Sequence, residues 1–143
     1  MQKFRKLKVK FENCTGCKIC QLICAITHEK VANPKKARIR LIPKNPDSSV
    51  YSLKTPTFCV QCDDPLCVRS CPNNALVKET DGTIRLVEEK CNACRICMDF
   101  CHIGAIFSNP DTQKPLICDL CDGNPSCVRW CPGYMEKKAL EYE

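Results

Sequence analysis

The stretch from Cys14 to Cys24, CTGCKICQLIC, sets four cysteines at C-x2-C-x2-C-x3-C, and CNACRICMDFC, from Cys91 to Cys101, repeats that spacing. Two further groups lengthen the middle gap. CVQCDDPLCVRSCP carries Cys59, Cys62, Cys67 and Cys71 as C-x2-C-x4-C-x3-C, and CDLCDGNPSCVRWCP carries Cys118, Cys121, Cys127 and Cys131 as C-x2-C-x5-C-x3-C. These two also share Cys-Asp, a proline, Cys-Val-Arg and Cys-Pro, which reads as an internal duplication. All sixteen cysteines of the 143-residue chain fall into these four boxes of four.

A cubane iron-sulfur cluster needs thiolates at four corners. C-x2-C-x2-C lets one looping segment present three of them (Cys14, Cys17 and Cys20; Cys91, Cys94 and Cys97) while its amides turn toward the sulfides. The fourth cysteine follows the third by four positions, about 6 Å along a helix and on the same face. That is too far to close the same cube comfortably, so it reaches a neighbouring cluster, as in two-cluster bacterial ferredoxins. Sixteen ligands so arranged imply four [4Fe-4S] clusters. Structural zinc also uses C-x2-C pairs, but in twos, without a tight triplet and a fourth cysteine one turn on. Disulfides between such close neighbours would be strained and reducible. An open-iron radical site would need a C-x3-C-x2-C set apart from the boxes, and the sequence has none.

The formal charge of +6 counts every cysteine as a neutral thiol. Metal binding deprotonates them, and an oxidised cluster with four thiolates carries about −2, so four clusters bring the loaded chain to about −2. The basic balance is therefore no sign of nucleic acid, and no basic run with interleaved aromatics accompanies it. The opening MQKFRKLKVKFENC lacks the apolar run of a secretory signal, and no segment approaches the roughly 20 apolar residues of a membrane span. A reducing, cytoplasmic setting is expected, where clustered cysteines bind metal.

Between the boxes, alternation predicts strands over Leu7 to Phe11 and Arg38 to Ile42 and a helix over Cys20 to Thr27. Leu76 to Lys78 and Thr83 to Val87 flank Asp81-Gly82 as a hairpin. The proline-rich stretch from Asn33 to Thr57 reads as a connecting surface excursion. Apolar residues are too dispersed for a large core, so the clusters must supply much of the cohesion.

From Cys14 to Cys131 the chain resembles the four-cluster ferredoxin-like electron-transfer subunits of molybdopterin and tungstopterin oxidoreductases, the dimethyl sulfoxide reductase iron-sulfur subunit family. CPNNAL and CDLCDGNPSCVRWCP carry that resemblance with the sixteen spaced cysteines. The opening CTGCKICQLICAITHE is most similar to subunits of tungsten aldehyde oxidoreductase or carbon monoxide dehydrogenase. The resemblance implies an α+β unit over residues 1–143 of two interleaved βαββαβ modules, the outer from 1–32 plus 110–143 and the inner from 55–109, with 33–57 connecting them. It implies four clusters: one on Cys14, Cys17, Cys20 and Cys131; a second on Cys24, Cys118, Cys121 and Cys127. A third falls on Cys59, Cys62, Cys67 and Cys101, and a fourth on Cys71, Cys91, Cys94 and Cys97. The implied role is non-catalytic: single electrons pass between a catalytic subunit, a tungsten or molybdenum pterin enzyme, and a flavin/NAD subunit or ferredoxin. A free polyferredoxin, or a subunit of carbon monoxide dehydrogenase or hydrogenase, is the alternative, and copies of the chain associating with one another are a further option. His102 stands where the family often has proline, and PGYMEKKAL replaces a shorter link after Cys131.

His28 and His102 are the only histidines, and with sixteen cysteines for sixteen corners each is expected to be a packed or surface residue hydrogen-bonded near a cluster and not a ligand or proton relay. Each box also holds one basic residue at a matching position: Lys18, Arg69, Arg95 and Arg129. A cation there would favour the reduced cluster; the alternative is a solvated charge.

Overall fold

The computed structural model describes residues 4–43 and 54–143. The chain is α+β with short elements: β1 (Leu7–Val9), α1 (Ile19–Glu29), β2 (Arg40–Pro43), β3 (Lys54–Thr57), α2 (Leu66–Ser70), β4 (Leu76–Lys78), β5 (Ile84–Leu86), α3 (Ile96–Asp99), β6 (Phe107–Ser108), β7 (Pro115–Leu116), α4 (Ser126–Trp130) and β8 (Leu140–Tyr142). The strands form antiparallel pairs β1–β8, β2–β3, β4–β5 and β6–β7. In the first, Leu7 faces Tyr142 and Val9 faces Leu140, so the two ends of the described chain lie side by side. Helix α1 packs on α4 and α2 on α3.

The strand expected to run to Phe11 stops at Val9, because Phe11–Asn13 closes a 3-10 turn. The amide of Cys14 caps that turn by donating to Phe11 O at 3.1 Å, and Cys91 repeats this on Glu88 O at 3.2 Å. Each triplet box is thus delivered by the same device. Helix α1 starts one residue earlier than expected and runs two further, ending where Lys30 (φ 57°) adopts a left-handed cap and donates to Ile26 O. The second expected strand begins at Arg40, since Arg38 and its neighbours are engaged elsewhere. The predicted hairpin forms as β4–β5, with Leu76 opposite Leu86. In the expected excursion, Pro34–Lys36 forms a 3-10 turn and β2 pairs with β3; residues 44–53 lie outside the described residues.

The duplication read in the second and fourth boxes extends to hydrogen bonding. Pro65 and Pro125 are buried at the starts of α2 and α4, and each carbonyl accepts from the residues three and four ahead, Val68 and Arg69 or Val128 and Arg129, at 3.2 and 3.3 Å. Proline suits this place because a first-turn residue needs no donor. In the interior, apolar side chains that include Leu7, Ile39, Phe58, Leu76, Ile84, Ile106, Ile117 and Leu140 pack among Cys20, Cys24, Cys59, Cys67, Cys97, Cys118 and Cys127.

Gln61 bridges the two halves. Buried at 3% exposure, its Nε2 donates to Cys118 O at 2.7 Å and its Oε1 accepts from the amide of Ile84 at 2.7 Å. Gln61→Leu, similar in volume, strands both backbone groups and should cost about 1–3 kcal/mol. An anaerobic denaturation of the loaded protein should show a lower midpoint; an unchanged midpoint would remove Gln61 from the fold's supports.

Candidate metal centres

In every box the residue before the second cysteine has left-handed backbone: Gly16 (φ 71°), Gln61 (φ 54°), Ala93 (φ 59°) and Leu120 (φ 59°). The triplet boxes add Lys18 (φ 64°) and Arg95 (φ 63°) directly after it. For a residue with a Cβ this costs about 1–2 kcal/mol. Left-handed residues turn successive amides to one side and make the concavity that receives an anion. Among the amides that point at sulfur, Arg38 N donates to Cys24 Sγ at 3.2 Å, Ala75 N to Cys71 Sγ at 3.3 Å and Ala105 N to Cys101 Sγ at 3.3 Å.

The thiols neighbour one another across the boxes. Burial, followed by the charge of Cys17 and, more weakly, of Cys14 and Cys131, pushes Cys20 up to about 12. Burial raises Cys59 to about 12 with help from Cys67, Cys62 and Cys101, against the amide of Gln61. It raises Cys97 to about 11, with Cys67, Cys71, Cys91 and Cys94 adding to the rise. Cys127 goes up through burial and then Cys118, Cys24, Cys121 and Cys20, while Cys118 goes up through burial first and, against the amide of Leu120, through Cys24 and Cys59. Cys71 differs. Although burial opposes it, the amides of Ala75, Asn73, Leu76 and Asn74 together hold its pKa below the ordinary thiol value.

This donor set fits iron-sulfur clusters better than single ions. Around one zinc at about 2.3 Å, four sulfurs would sit about 3.8 Å apart. Among the described residues, the group of three or more ligand types whose atoms lie within 4.8 Å of one another is His28, Asp119 and Cys121, so no three thiols come that close. A cubane holds its thiolates further apart because irons and sulfides lie between them. Cys71, Cys91, Cys94 and Cys97 line one cavity, walled by Leu76, Leu86 and Pro115. All sixteen cysteines are free thiols, with Cys17 and Cys94 the exposed ones.

Lys18, Arg69, Arg95 and Arg129 are all at the surface, which makes them solvated charges. Arg69 pairs with Asp64 at 3.1 Å, and Arg129 donates to Ser126 Oγ at 3.3 Å. His102 is exposed. His28 is half-buried, with Nε2 at 3.6 Å from Cys121 Sγ and 3.5 Å from Asp119 Oδ1; burial and then Arg38 hold its pKa below the usual imidazole value. The residues beside sulfur that motif reading missed are Arg38 and Asp119, whose side chains pair at 2.9 Å. Only the charge of Asp119, where the third box has Asn92, hinted at them.

Among known proteins, the 4Fe-4S dicluster domain family matches residues 50–139. The chain is 40% identical over 122 residues to the polyferredoxin-like subunit of an aliphatic sulfonate oxidoreductase of Pyrococcus furiosus, covering 84% of this chain and 67% of that one. It is 30% identical over 142 residues to an iron-sulfur protein of Rhodospirillum rubrum, covering 85% and 74%. The match to the beta subunit of NADH-dependent phenylglyoxylate dehydrogenase of Aromatoleum evansii is 36% identical over 83% of this chain, which spans only 26% of that subunit. Among solved structures, the BamBC active-site complex of benzoyl coenzyme A reductase shares the fold, with TM-score 0.54 and 24% identity over 97% of this chain and 78% of that one. Among the described residues no helix is long and apolar enough to cross a membrane. Spaced thiols, inward amides and relatives named as iron-sulfur or electron-transport proteins meet in one conclusion: the chain belongs to the 4Fe-4S dicluster family of ferredoxin-like, non-catalytic electron-transfer subunits of oxidoreductases.

Proposed function

We propose that the chain relays single electrons through four [4Fe-4S] clusters between a catalytic oxidoreductase subunit and a second redox partner. The observation that carries this is the adjacency of thiols. Cys20 has Cys17, Cys14 and Cys131 about it; Cys127 has Cys118, Cys24 and Cys121; Cys59 has Cys67, Cys62 and Cys101; Cys97 has Cys71, Cys91 and Cys94. These are the four ligand sets. Thiols of a second set also act on these: Cys20 on Cys127 and Cys59 on Cys118 more weakly, and Cys67 on Cys97 more strongly than its own set does, which orders the sets in a line from the Cys14 set to the Cys91 set. The exposed cysteines, Cys17 and Cys94, belong to its two ends, where electrons would enter and leave. When bound, each cluster takes up and gives back one electron. The protein's part is to fix thiolate positions, aim amides at sulfur and keep water from the inner sets.

In this reading the outer module (1–32 plus 110–143) is held by β1–β8 and by α1 on α4, and the inner module (55–109) by β4–β5 and by α2 on α3. The β6–β7 pair straddles the boundary at 109/110. Beside Cys131, Trp130, Tyr134 and Met135 are 60, 56 and 76% exposed, and Ile19, Leu22 and Ile26 form an uncovered stripe on α1. Apolar surface of this kind favours a docked subunit over a free carrier. For the catalytic partner we infer a tungsten or molybdenum pterin enzyme of the aldehyde oxidoreductase type, a reading supported by the resemblance of the opening box and by the sulfonate oxidoreductase relative. Purified without oxygen from its source, the protein should arrive with such a subunit; recovery only as a lone carrier would reject the subunit reading.

Prepared anaerobically, the chain should hold about sixteen irons and about sixteen acid-labile sulfides. Half that content, or stoichiometric zinc, would defeat the four-cluster reading. Stripping the metal should abolish the cooperative melt, because seven cysteines are part of the buried core.

Cys131→Ser and Cys14→Ser should alter the same component of the electron paramagnetic resonance spectrum, although their residues lie at opposite ends of the chain. Cys118→Ser should alter a different one. If Cys131→Ser instead matched Cys118→Ser, each box would close its own cluster and the crossed ligand sets would be wrong.

A further inference from the structure

Arg38, outside every cysteine box, and Asp119, inside the fourth, meet at one ligand set. The main-chain N–H of Arg38 donates to Cys24 Sγ at 3.2 Å, and its guanidinium Nη1 donates to Asp119 Oδ2 at 2.9 Å. The other oxygen, Asp119 Oδ1, accepts from the amide of Cys121 at 3.0 Å, and His28 Nε2 lies 3.5 Å from it. Arg38 and Asp119 are mostly shielded, their side chains 21 and 19% exposed. The next carboxylate, Asp122, has its own partner in Arg85 at 2.7 Å.

Asp119 folds its loop by a bond that needs no charge. In the third box Asn92 does the same work, its Oδ1 accepting from the amide of Cys94 at 3.2 Å. A carboxylate in that place sets a negative charge beside thiolates that will themselves be anionic. Arg38 cancels it, and cancels it from the residue whose own amide holds Cys24.

We propose that the Arg38–Asp119 pair sets the reduction potential of the cluster held by Cys24, Cys118, Cys121 and Cys127, with Arg38 as its positioning residue. The inference rests on the ligand sets of the preceding section. Reduction adds one electron and makes or breaks no bond, so a nearby uncancelled anion opposes it and an uncancelled cation favours it.

The test is electron paramagnetic resonance of the loaded protein poised over a series of potentials, with the relevant component identified as the one altered by Cys121→Ser. Arg38→Gln keeps the amide on Cys24 and leaves Asp119 uncancelled. It should lower that midpoint by about tenfold in the reduction equilibrium, about 59 mV for one electron. Asp119→Asn keeps the turn as Asn92 does and should raise it by a similar factor. The double variant should return near the parent, with the other components unmoved and the iron content full. Shifts of equal sign, no shift, or a shift in a different component would overturn the proposal. If Arg38→Gln fails to load iron, the direction of the Asp119→Asn shift decides alone. If Cys24→Ser and Cys121→Ser alter different components, the ligand sets fail and the proposal falls with them, an outcome distinct from the loss of a charge effect at Arg38.

Discussion

The spacing of the third and fourth cysteines in each box governs the rest of the structure. In α1 both lie on the helix, a turn apart, while in the other boxes the third is helical and the fourth, Cys71, Cys101 or Cys131, follows the helix end, so the two keep different company. On α1, Cys20 has Cys14, Cys17 and Cys131 among its neighbours, while Cys24 lies by Cys121, Cys118 and Cys127. A residue near the end of the chain must therefore return to its beginning. The pairing of β1 with β8 and the packing of α1 on α4 follow from that requirement, in a chain with too few apolar residues to enforce them alone.

The same arrangement sets the energetics. Cys20, Cys59, Cys97, Cys118 and Cys127 are buried among other thiols, and burial raises their pKa values, so without a cation they remain protonated. Left-handed backbone at Gln61, Ala93, Leu120, Lys18 and Arg95 adds about 1–2 kcal/mol at each position. Summed, that strain is comparable with the roughly 5–15 kcal/mol by which an ordinary domain is stable. Iron binding would displace the thiol protons and add ligand-metal bonding that opposes the strain, which would couple folding to loading.

Spacing made the boxes and the duplication legible in the sequence, and the resemblance to a known family implied the α+β character. The hairpin at Asp81-Gly82 was legible as well, because its turn residues are specific. The left-handed positions were not. Gly16 announces one, but Gln61, Ala93 and Leu120 occupy the equivalent place with side chains that disfavour it, held there by the demands of the loop. Gln61 looked like an ordinary polar residue and is a buried tie between two boxes. Arg38 was invisible for a deeper reason: any residue but proline supplies a main-chain N–H, so a donor to sulfur carries no mark in the sequence.

The basic residues inside the boxes illustrate the converse. Lys18, Arg69, Arg95 and Arg129 drew notice by recurring at matching positions, yet recurrence in a duplicated chain reflects shared descent of the loop as readily as shared purpose. All four side chains reach solvent, where water and salt screen a charge within about 8–10 Å. A shielded charge acts at lower effective dielectric and loses less of its influence. On the proposal made for Arg38 and Asp119, potential control would rest on shielded charges packed against the thiols, inside a box or outside it. It can differ from one ligand set to the next even where the boxes still match, as the neutral Asn92 and the charged Asp119 do in equivalent turns.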